Sequence, residues 1–210
     1  MNFEPARHKM VLEQLEQRGI HDPRVLEAME WVPRHEFVPH NLLNLAYNDL
    51  ALPIGHEQTI SQPYTVAFMC QEARVAVDDR VLEIGTGSGY GAALLSLLSQ
   101  EVHTIERIDV LYQSARERLA RLGYKKVHCH LDDGTLGLPS KAPFDAIIVA
   151  AGAKTLPDAF QEQLAEGGRL IIPIGPLAHQ QMYRLTRHGS DFLREDLGAF
   201  GFVPLVSGHT

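Results

Sequence analysis

The sequence predicts an α/β fold: a mostly parallel sheet with helices on both faces, an N-terminal helical extension and a C-terminal antiparallel hairpin. Two observations predict it. From residue 79 onward, short apolar strand patterns alternate with helical patterns, which is typical of right-handed βαβ units. A glycine-rich turn also joins the first of these strands directly to its helix. We therefore expect a single domain over 1–210, made of a helical extension (1–78), a βα core (79–175) and C-terminal strands (176–210).

The first sixty or so residues lie outside the βα alternation. Residues 6–18 carry apolar positions at helical spacing, which predicts an amphipathic helix. Asp22 followed by Pro23 predicts the start of a second helix, because aspartate caps helices and proline suits their first turn. Residues 34–55 contain two prolines and no sustained period. We expect an irregular region there, with one short helix near Leu42.

The βα core is predicted from apolar runs and helical spacings. The predicted strands are Arg80–Ile84, Val102–Ile105, Val127–Leu131, Phe144–Ala150 and the strand that follows Gly168 and Arg169. The predicted helices are Gly89–Ser99, Asp109–Leu122 and Pro157–Leu164. Beyond them, residues 180–206 alternate in polarity around the turn His188-Gly189-Ser190, which predicts an antiparallel hairpin added to the sheet.

A polar segment lies just before the first core strand. Gln58, Thr59, Ser61 and Gln62 precede Pro63, which predicts the start of a helix. Ser61 is close enough to this start to serve as the helix N-cap, a common role for a hydroxyl. The same segment could equally form the lip of a pocket, with Ser61 as a catalytic residue. Both interpretations stay open.

The turn VLEIGTGSGYG, residues 81–91, is the most informative motif. Its glycines let a ligand approach the main chain, and the following helix directs free N–H groups to the same place. Residues 87–92 match the loose dinucleotide pattern, which alone is weak evidence. Glu83, two positions before the first glycine, would repel a pyrophosphate but suit the ammonium group of an amino acid. The pattern favours S-adenosylmethionine over a dinucleotide, unless Glu83 only makes a local cap or pair.

Two further carboxylates are predicted at the carboxyl ends of neighbouring strands. Glu106 lies about twenty residues past the glycine turn, where an acidic side chain can accept ribose hydroxyls. Asp133 follows the third core strand and is placed to accept an adenine amine, with Leu131 or Leu136 against the ring. An isolated carboxylate at a strand end is usually solvated or caps a helix. Three carboxylates at successive strand ends, Glu83, Glu106 and Asp133, favour a binding site.

Composition excludes several classes of protein. The chain has 19 Lys and Arg against 26 Asp and Glu, a net charge of −7 without a basic run, so we expect no nucleic-acid or membrane partner. No long apolar segment is present, and a cytoplasmic location is expected. We also expect no metal site, because the 11 histidines are scattered and His128 and His130 share a face of one strand.

Motifs along nearly the whole chain resemble those of the protein-L-isoaspartate (D-aspartate) O-methyltransferase family. The most specific are VPRHEFVP at 32–39 and QTISQP at 58–63, whereas VLEIGTGSGY at 81–90 is typical of class I, Rossmann-like methyltransferases in general. LAEGGRLIIPIG at 164–175 and FVPL at 202–205 also match. The resemblance implies a class I methyltransferase fold and S-adenosyl-L-methionine as cofactor, with S-adenosyl-L-homocysteine as product. It implies isoaspartyl-containing peptides and proteins as substrates.

The resemblance also implies the site residues. Ser61 corresponds to the family's active-site serine. The residues implied to bind the cofactor are Gln58, Thr59, Ile60, Glu83, Gly85, Thr86, Gly87, Gly89, Glu106, Arg107, Asp132, Asp133 and Gln181. The chain departs from the family pattern at Glu57 and Asp132, where glycine is usual, and at 151–154, which lack a usual proline. We therefore expect a bulkier or more acidic cleft edge at Glu57.

The implied substrate determines the chemistry. An isoaspartyl residue carries a free α-carboxylate that is ionised at neutral pH, so methyl transfer to it needs alignment of the reactants and no general base. We expect Ser61 to orient that carboxylate without forming a covalent intermediate, because no His and Asp partners of triad character are apparent. Two alternatives stay open: an NAD-dependent oxidoreductase, and a non-catalytic S-adenosylmethionine-binding module. No segment resembles a large assembly surface, and a monomer is expected.

Overall fold

The fold is built on a seven-stranded sheet, as a computed structural model shows for residues 2–177 and 179–208. The strands are β1 Leu52–Gly55, β2 Gln58–Ile60, β3 Arg80–Ile84, β4 Glu101–Glu106, β5 Val127–Leu131, β6 Phe144–Val149, β7 Leu164–Ile174, β8 Gln180–His188 and β9 Asp191–Phe200. The large sheet has the order β5-β4-β3-β6-β7-β8-β9, and β1 and β2 form a separate sheet. Met1, Ala178, His209 and Thr210, which belong to the predicted regions 1–78 and 176–210, lie outside the described residues.

The helices flank this sheet and form most of the chain before it. The α-helices are α1 Glu4–Lys9, α2 Pro23–Trp31, α3 Pro63–Ala73, α4 Tyr90–Leu98, α5 Asp109–Arg121 and α6 Asp158–Glu162. The predicted helix over 6–18 is present, since a π-helical segment and a 3₁₀ turn continue α1 to Arg18. Asp22 caps α2 as predicted, with its carboxylate accepting the N–H of Arg24 at 2.9 Å. The short helix expected near Leu42 is a 3₁₀ segment, His40–Leu45.

The large sheet is parallel from β5 to β7 and antiparallel at β8 and β9. Alternate residues of its central strands point to opposite faces, and each face has its own apolar cluster. Val81 and Ile148 pack with residues of α2, α3 and α4 on one face. Leu82 and Ile147 pack with Phe160 of α6 on the other. The predicted α/β class, with a mostly parallel sheet, helices on both faces and a C-terminal hairpin, is confirmed.

A β-hairpin formed by β1 and β2 lies where we expected irregular chain. His56 and Glu57 connect its strands, and both have positive φ, 53° and 58°. Two-residue hairpin loops need such left-handed residues, and Asn-Gly or Asp-Gly is the usual sequence signal for them. His-Glu carries no such signal, and Pro53 within β1 also argues against a strand. The hairpin holds Gln58–Ile60 extended directly before Ser61.

Two predicted boundaries were wrong near the end of the chain. Helix α6 is shorter than predicted, because β7 already begins at Leu164. The C-terminal hairpin was predicted to reach Val206, but β9 ends at Phe200. Pro204 lacks the N–H that a continued ladder would need. The chain instead turns toward Gly152, whose N–H donates to the carbonyl of Val203 at 2.8 Å. Residues 203–206 are thereby freed from the sheet to line the site described below.

Within residues 2–177 and 179–208, no helix is both long and apolar enough to cross a membrane. In the same part of the chain, no cluster of His, Cys, Asp and Glu side chains suits a metal ion. Cys70 and Cys129 are free thiols.

Three histidines lie together on one face of β4 and β5. The Nδ1 atom of His103 lies 3.0 Å from Nε2 of His130, and the His103 ring centroid lies 5.1 Å from that of His128. Glu101 Oε1 lies 3.3 Å from His103 Nε2. Burial lowers the pKa of His103 to about 4; Glu101 opposes this change, whereas the other two histidines and Lys141 add to it. His103 is therefore neutral in the folded protein at neutral pH.

We expect the free energy of unfolding to decrease as the pH falls from about 6.5 to 4. A histidine of the unfolded chain takes up its proton near pH 6.5, whereas His103 in the folded protein does so near pH 4, so acid favours unfolding in this window. Between pH 7.5 and 5 the decrease should be about 2 kcal/mol, measured by urea denaturation. His103→Gln should flatten this dependence, and the same change at the exposed His188 should not. Parallel curves for His103→Gln and the unmodified protein would contradict the assignment.

Candidate functional site

A cavity of about 310 Å³ opens at the carboxyl end of β3, where the glycine turn follows the strand. Its walls come from the hairpin and Ser61, from α3, from the turn before α4, from the end of β4, and from residues 203–206. This is the edge at which open parallel sheets bind ligands. Ten predicted site residues lie in these walls: Gln58, Thr59, Ile60, Ser61, Glu83, Gly85, Thr86, Gly87, Glu106 and Arg107.

The glycine turn is fixed by main-chain conformation and by hydrogen bonds to β4. Gly85 and Gly87 have φ of 97° and 52°, which favours glycine over residues with a Cβ. The N–H groups of Gly85 and Thr86 donate to the carbonyl of Ile105 at 2.9 and 3.1 Å. The turn therefore presents bare main chain to the cavity. Gly89 is not in the cavity wall; its φ is 90°, and an added Cβ would lie 3.1 Å from Leu119 of α5.

The carboxylate of Glu106 ties the glycine turn to the end of β4. One oxygen accepts the N–H of Gly87 at 2.8 Å, and the other accepts the N–H groups of Arg107 and Ile108 at 2.9 and 3.0 Å. Charge-assisted bonds of this kind are stronger than neutral ones. Glu106 is buried, so it orders the turn from within the protein while one edge of its carboxylate remains in the cavity wall.

The carboxyl group of Glu83 is buried in the cavity wall, with the residue 4% exposed. It accepts a hydrogen bond from Oγ1 of Thr104 at 2.6 Å, so the local pairing that we kept open is observed together with a position at the cavity. Burial raises the pKa of Glu83 to about 8, and the neighbouring Glu106 adds to this while the Thr104 bond opposes it. An added Cβ at Gly91 would collide with Oε1 of Glu83, which explains the fourth glycine of the motif.

Ser61 lies between β2 and α3 and is not the cap of that helix. The residue before Pro63 is Gln62, and no side chain at this N-cap position makes a capping hydrogen bond. Asp49 instead accepts the N–H of Tyr64 in the first turn at 3.0 Å. The carbonyl of Ser61 accepts a hydrogen bond from Nη2 of Arg34 at 2.8 Å. The N-cap interpretation was therefore wrong, and Ser61 belongs to the cavity wall.

Three other predicted residues lie outside the cavity wall. Asp133 accepts hydrogen bonds from Thr135 and from the N–H of Gly208, the latter at 2.6 Å. Although burial acts in the opposite direction, these hydrogen bonds lower the pKa of Asp133. Asp132 accepts the N–H of Asp133 at 2.8 Å. Gln181 lies on β8 and donates to Asp196, so its position does not support the predicted contact with the cofactor.

Sequence reasoning did not name all the residues of the cavity wall. Tyr90, His56 and residues 203–206 line it as well. The motif FVPL at 202–205 was a signal for the last of these, but alternation in the tail suggested a longer strand. Because Pro204 ends the ladder, these residues cover the cavity instead of extending the hairpin.

The chain matches a family model along almost its whole length. Residues 6–210 match the model described as "Protein-L-isoaspartate(D-aspartate) O-methyltransferase (PCMT)". A protein-L-isoaspartate O-methyltransferase of Roseiflexus sp. (strain RS-1) is 50% identical over 209 residues, which cover 100% of this chain and 95% of the relative. The Brucella anthropi protein of the same name is 50% identical over 207 residues, which cover 98% of this chain and 95% of that relative.

Solved structures support the same relationship. A structure named protein-L-isoaspartate O-methyltransferase superposes with a TM-score of 0.84 at 29% identity, covering 94% of this chain and 65% of the other. A second structure, from Plasmodium falciparum, is named as a candidate protein-L-isoaspartate O-methyltransferase in complex with S-adenosyl-L-homocysteine. It superposes with a TM-score of 0.84 at 27% identity, and the match covers 95% of this chain and 98% of the other. With the cavity at the predicted edge of the sheet, these matches show that the chain belongs to the protein-L-isoaspartate (D-aspartate) O-methyltransferase family.

Proposed function

We propose that this protein transfers a methyl group from S-adenosyl-L-methionine to the free α-carboxylate of L-isoaspartyl residues in damaged proteins and peptides, which initiates their repair. The observation that carries the proposal is that one cavity joins the glycine turn after β3 to the Ser61 segment. A methyl donor and a peptide carboxylate need such a shared space, because direct transfer requires the two reacting atoms to be in contact.

The residues of the cavity suit S-adenosylmethionine better than a dinucleotide. Glu83 and Glu106 flank the glycine turn, and both are buried carboxyl groups. A diphosphate would be repelled by the Glu106 carboxylate and would keep Glu83 protonated. The ammonium group of S-adenosylmethionine instead favours the Glu83 carboxylate, and its ribose hydroxyls can donate to Glu106. Family membership also argues against the NAD-dependent oxidoreductase. We propose Glu83 as the partner of the ammonium group and Glu106 as the partner of the ribose.

Asp133 is proposed as the acceptor for the adenine amine. It directly precedes Gly134, which is part of the cavity wall, and Leu136, which is 61% exposed, ends the 3₁₀ segment that starts at Gly134. The N–H of Gly208 donates to Oδ2 of the Asp133 carboxylate. An ionised carboxylate accepts more than one hydrogen bond per oxygen, so an adenine amine would share this acceptor with Gly208.

The chain's own residues have a limited chemical task. When bound, S-adenosylmethionine supplies a methyl group on a sulfonium sulfur. The substrate carboxylate is already ionised, so its oxygen forms the new O–CH₃ bond as the S–CH₃ bond breaks, and the products are a methyl ester and a neutral thioether. No proton moves. We propose that Ser61 donates a hydrogen bond to the second carboxylate oxygen and that residues 203–206 exclude water.

Incubation of the protein with labelled S-adenosylmethionine and matched aspartyl and isoaspartyl peptides tests the function. Label on the isoaspartyl peptide alone is the expected result. Cofactor binding without label transfer would identify the non-catalytic binding module, and equal labelling of both peptides would contradict the proposed substrate.

Replacement of Ser61 by alanine should lower kcat/KM for an isoaspartyl peptide by about 10- to 100-fold, because a hydrogen bond to a charged group contributes ~1.5–3 kcal/mol. The affinity for S-adenosyl-L-homocysteine, measured by calorimetry, should stay within about threefold of the unmodified value, because the proposed partners of this ligand are Glu83 and Glu106 and not Ser61. Unchanged kcat/KM would remove Ser61 from the mechanism, and complete loss of cofactor binding would show a structural role.

We also propose that the protein works as a cytoplasmic monomer, with 1–78 forming the substrate cleft, 79–175 binding the cofactor and 176–210 completing the cleft. The net charge of −7 supports the further proposal that neither nucleic acid nor a membrane is a partner. Sedimentation velocity measures the mass directly, and a dimer at micromolar concentration would contradict the proposed monomer.

A further inference from the structure

Arg34 is a fully buried cation beside the proposed active site. It lies in a 3₁₀ segment, Arg34–Phe37, and its side chain is 0% exposed. Its Nε donates to the carbonyl of Ala46 and its Nη2 to the carbonyl of Ser61, each at 2.8 Å. Its Cζ lies 4.8 Å from the centre of the Tyr90 ring. Arg34 thus contacts two residues, Ser61 and Tyr90, that line the cavity, although Arg34 itself does not line it.

The guanidinium of Arg34 has no carboxylate in contact with it among the described residues. No carboxylate there lies within 4.0 Å of its guanidinium, and its Nη1 makes no hydrogen bond to them. Burial lowers the pKa of Arg34, whereas Tyr90, Tyr47 and the negative charge of Asp49 oppose this. A guanidinium nevertheless stays protonated in proteins. A buried ion without a counter-ion in contact costs free energy, so this position calls for an explanation.

A second buried arginine shows the usual arrangement. Arg184 on β8 is 4% exposed and donates to two carboxylates, Glu72 at 2.5 Å and Glu195 at 2.8 Å. Those contacts join α3, β8 and β9 outside the cavity wall. The chain therefore pairs one buried arginine fully and leaves the other, beside Ser61, without a carboxylate.

We propose that Arg34 is a positioning residue whose unpaired charge selects an ionised carboxylate at Ser61, so that the substrate supplies a second anion in addition to that of Asp49. This inference rests on the proposed function. The guanidinium fixes the Ser61 main chain through its hydrogen bond, and only the two residues that it contacts, Ser61 and Tyr90, need lie between its charge and a ligand in the cavity. In a poorly solvated site, such a charge stabilises an anion over several ångströms.

The test compares two peptides that differ only in charge: an isoaspartyl peptide with its free α-carboxylate, and the same peptide with an α-amide. Isothermal titration in the presence of S-adenosyl-L-homocysteine measures both dissociation constants. The unmodified protein should bind the carboxylate about tenfold or more tightly than the amide. Equal binding would overturn the inference without any variant. Failure of methyl transfer would instead overturn the proposed function, since this ratio needs no turnover.

Variants at Arg34 separate charge from packing. Arg34→Met should reduce the carboxylate-to-amide ratio to about one and raise KM about tenfold, with kcat changed less. Arg34→Lys keeps the charge and should keep most of the ratio. Arg184→Met is the matched control: it should leave the ratio unchanged, even if it lowers Tm more than Arg34→Met does. If Arg34→Met does not fold, Arg34→Gln takes its place. Loss of the ratio in Arg184→Met, or its retention in neutral Arg34 variants, would overturn the inference.

Discussion

Replacement of Glu106 by glutamine should weaken the binding of S-adenosyl-L-homocysteine by about 100-fold, which corresponds to ~2.7 kcal/mol. The two carboxylate oxygens accept three main-chain N–H groups, from Gly87, Arg107 and Ile108. Glutamine replaces one oxygen with an NH₂ group, which would face an N–H donor instead of accepting from it. At least one of the hydrogen bonds that Glu106 accepts is then lost, although Gly85 and Thr86 stay bonded to Ile105, and the ribose loses its proposed acceptor at the same time.

Isothermal titration calorimetry measures this loss, and circular dichroism verifies that the variant is folded. Glu101→Gln is the matched control, because Glu101 lies on the same strand at its other end, where it pairs with Arg80 at 3.0 Å. Its affinity for S-adenosyl-L-homocysteine should stay within about threefold of the unmodified protein. A folded Glu106→Gln protein with unchanged affinity would show that the ribose is bound elsewhere.

The affinity for S-adenosyl-L-homocysteine should increase with pH by up to about tenfold per unit between roughly pH 6 and 7.5. In the protein without ligand, burial raises the pKa of Glu83 to about 8, so its carboxyl is mostly protonated in this range. A bound ammonium group favours the carboxylate and lowers this pKa in the complex. Binding below pH 8 therefore releases a proton, and affinity falls as acid opposes that release.

Titrations in buffers of different ionisation enthalpy would count the released protons, with close to one per ligand expected near pH 7. Glu83→Gln should bind less tightly and lose this pH dependence. If the dependence persisted in Glu83→Gln, another group would be responsible, and Glu83 would have no role in holding the ammonium group.

The core of the site was predictable because its signals are local. The strand, turn and helix from Val81 to Leu98 follow one another without a gap, and Gly85, Gly87 and Gly89 have the positive φ that glycine spacing in a turn predicts. Glu83 and Glu106 followed from the same alternation, since a strand end fixes where its last side chain lies. Family motifs added Ser61 and the polar residues before it.

Other parts of the site depend on contacts between distant residues, which no local pattern reveals. The hairpin before Ser61 is closed by left-handed His56 and Glu57, residues that seldom mark such a turn. Asp49, and not Ser61, accepts the first-turn N–H of α3. Asp133 was expected at the cavity, but it lies outside the cavity wall and its carboxylate accepts the N–H of Gly208. Each of these depends on tertiary packing that overrides the local preference.

The attachment of Ser61 to Arg34 has a consequence for how this protein can diversify. Arg34 and Ala46 belong to the chain ahead of the large sheet, whereas Glu83 and Glu106 belong to its central strands. Substitutions around Arg34 and Ala46 can therefore shift Ser61 while the strands that carry Glu83 and Glu106 keep their positions. The recipient side of the cavity is thus adjustable from a part of the chain that contributes no strand to the large sheet.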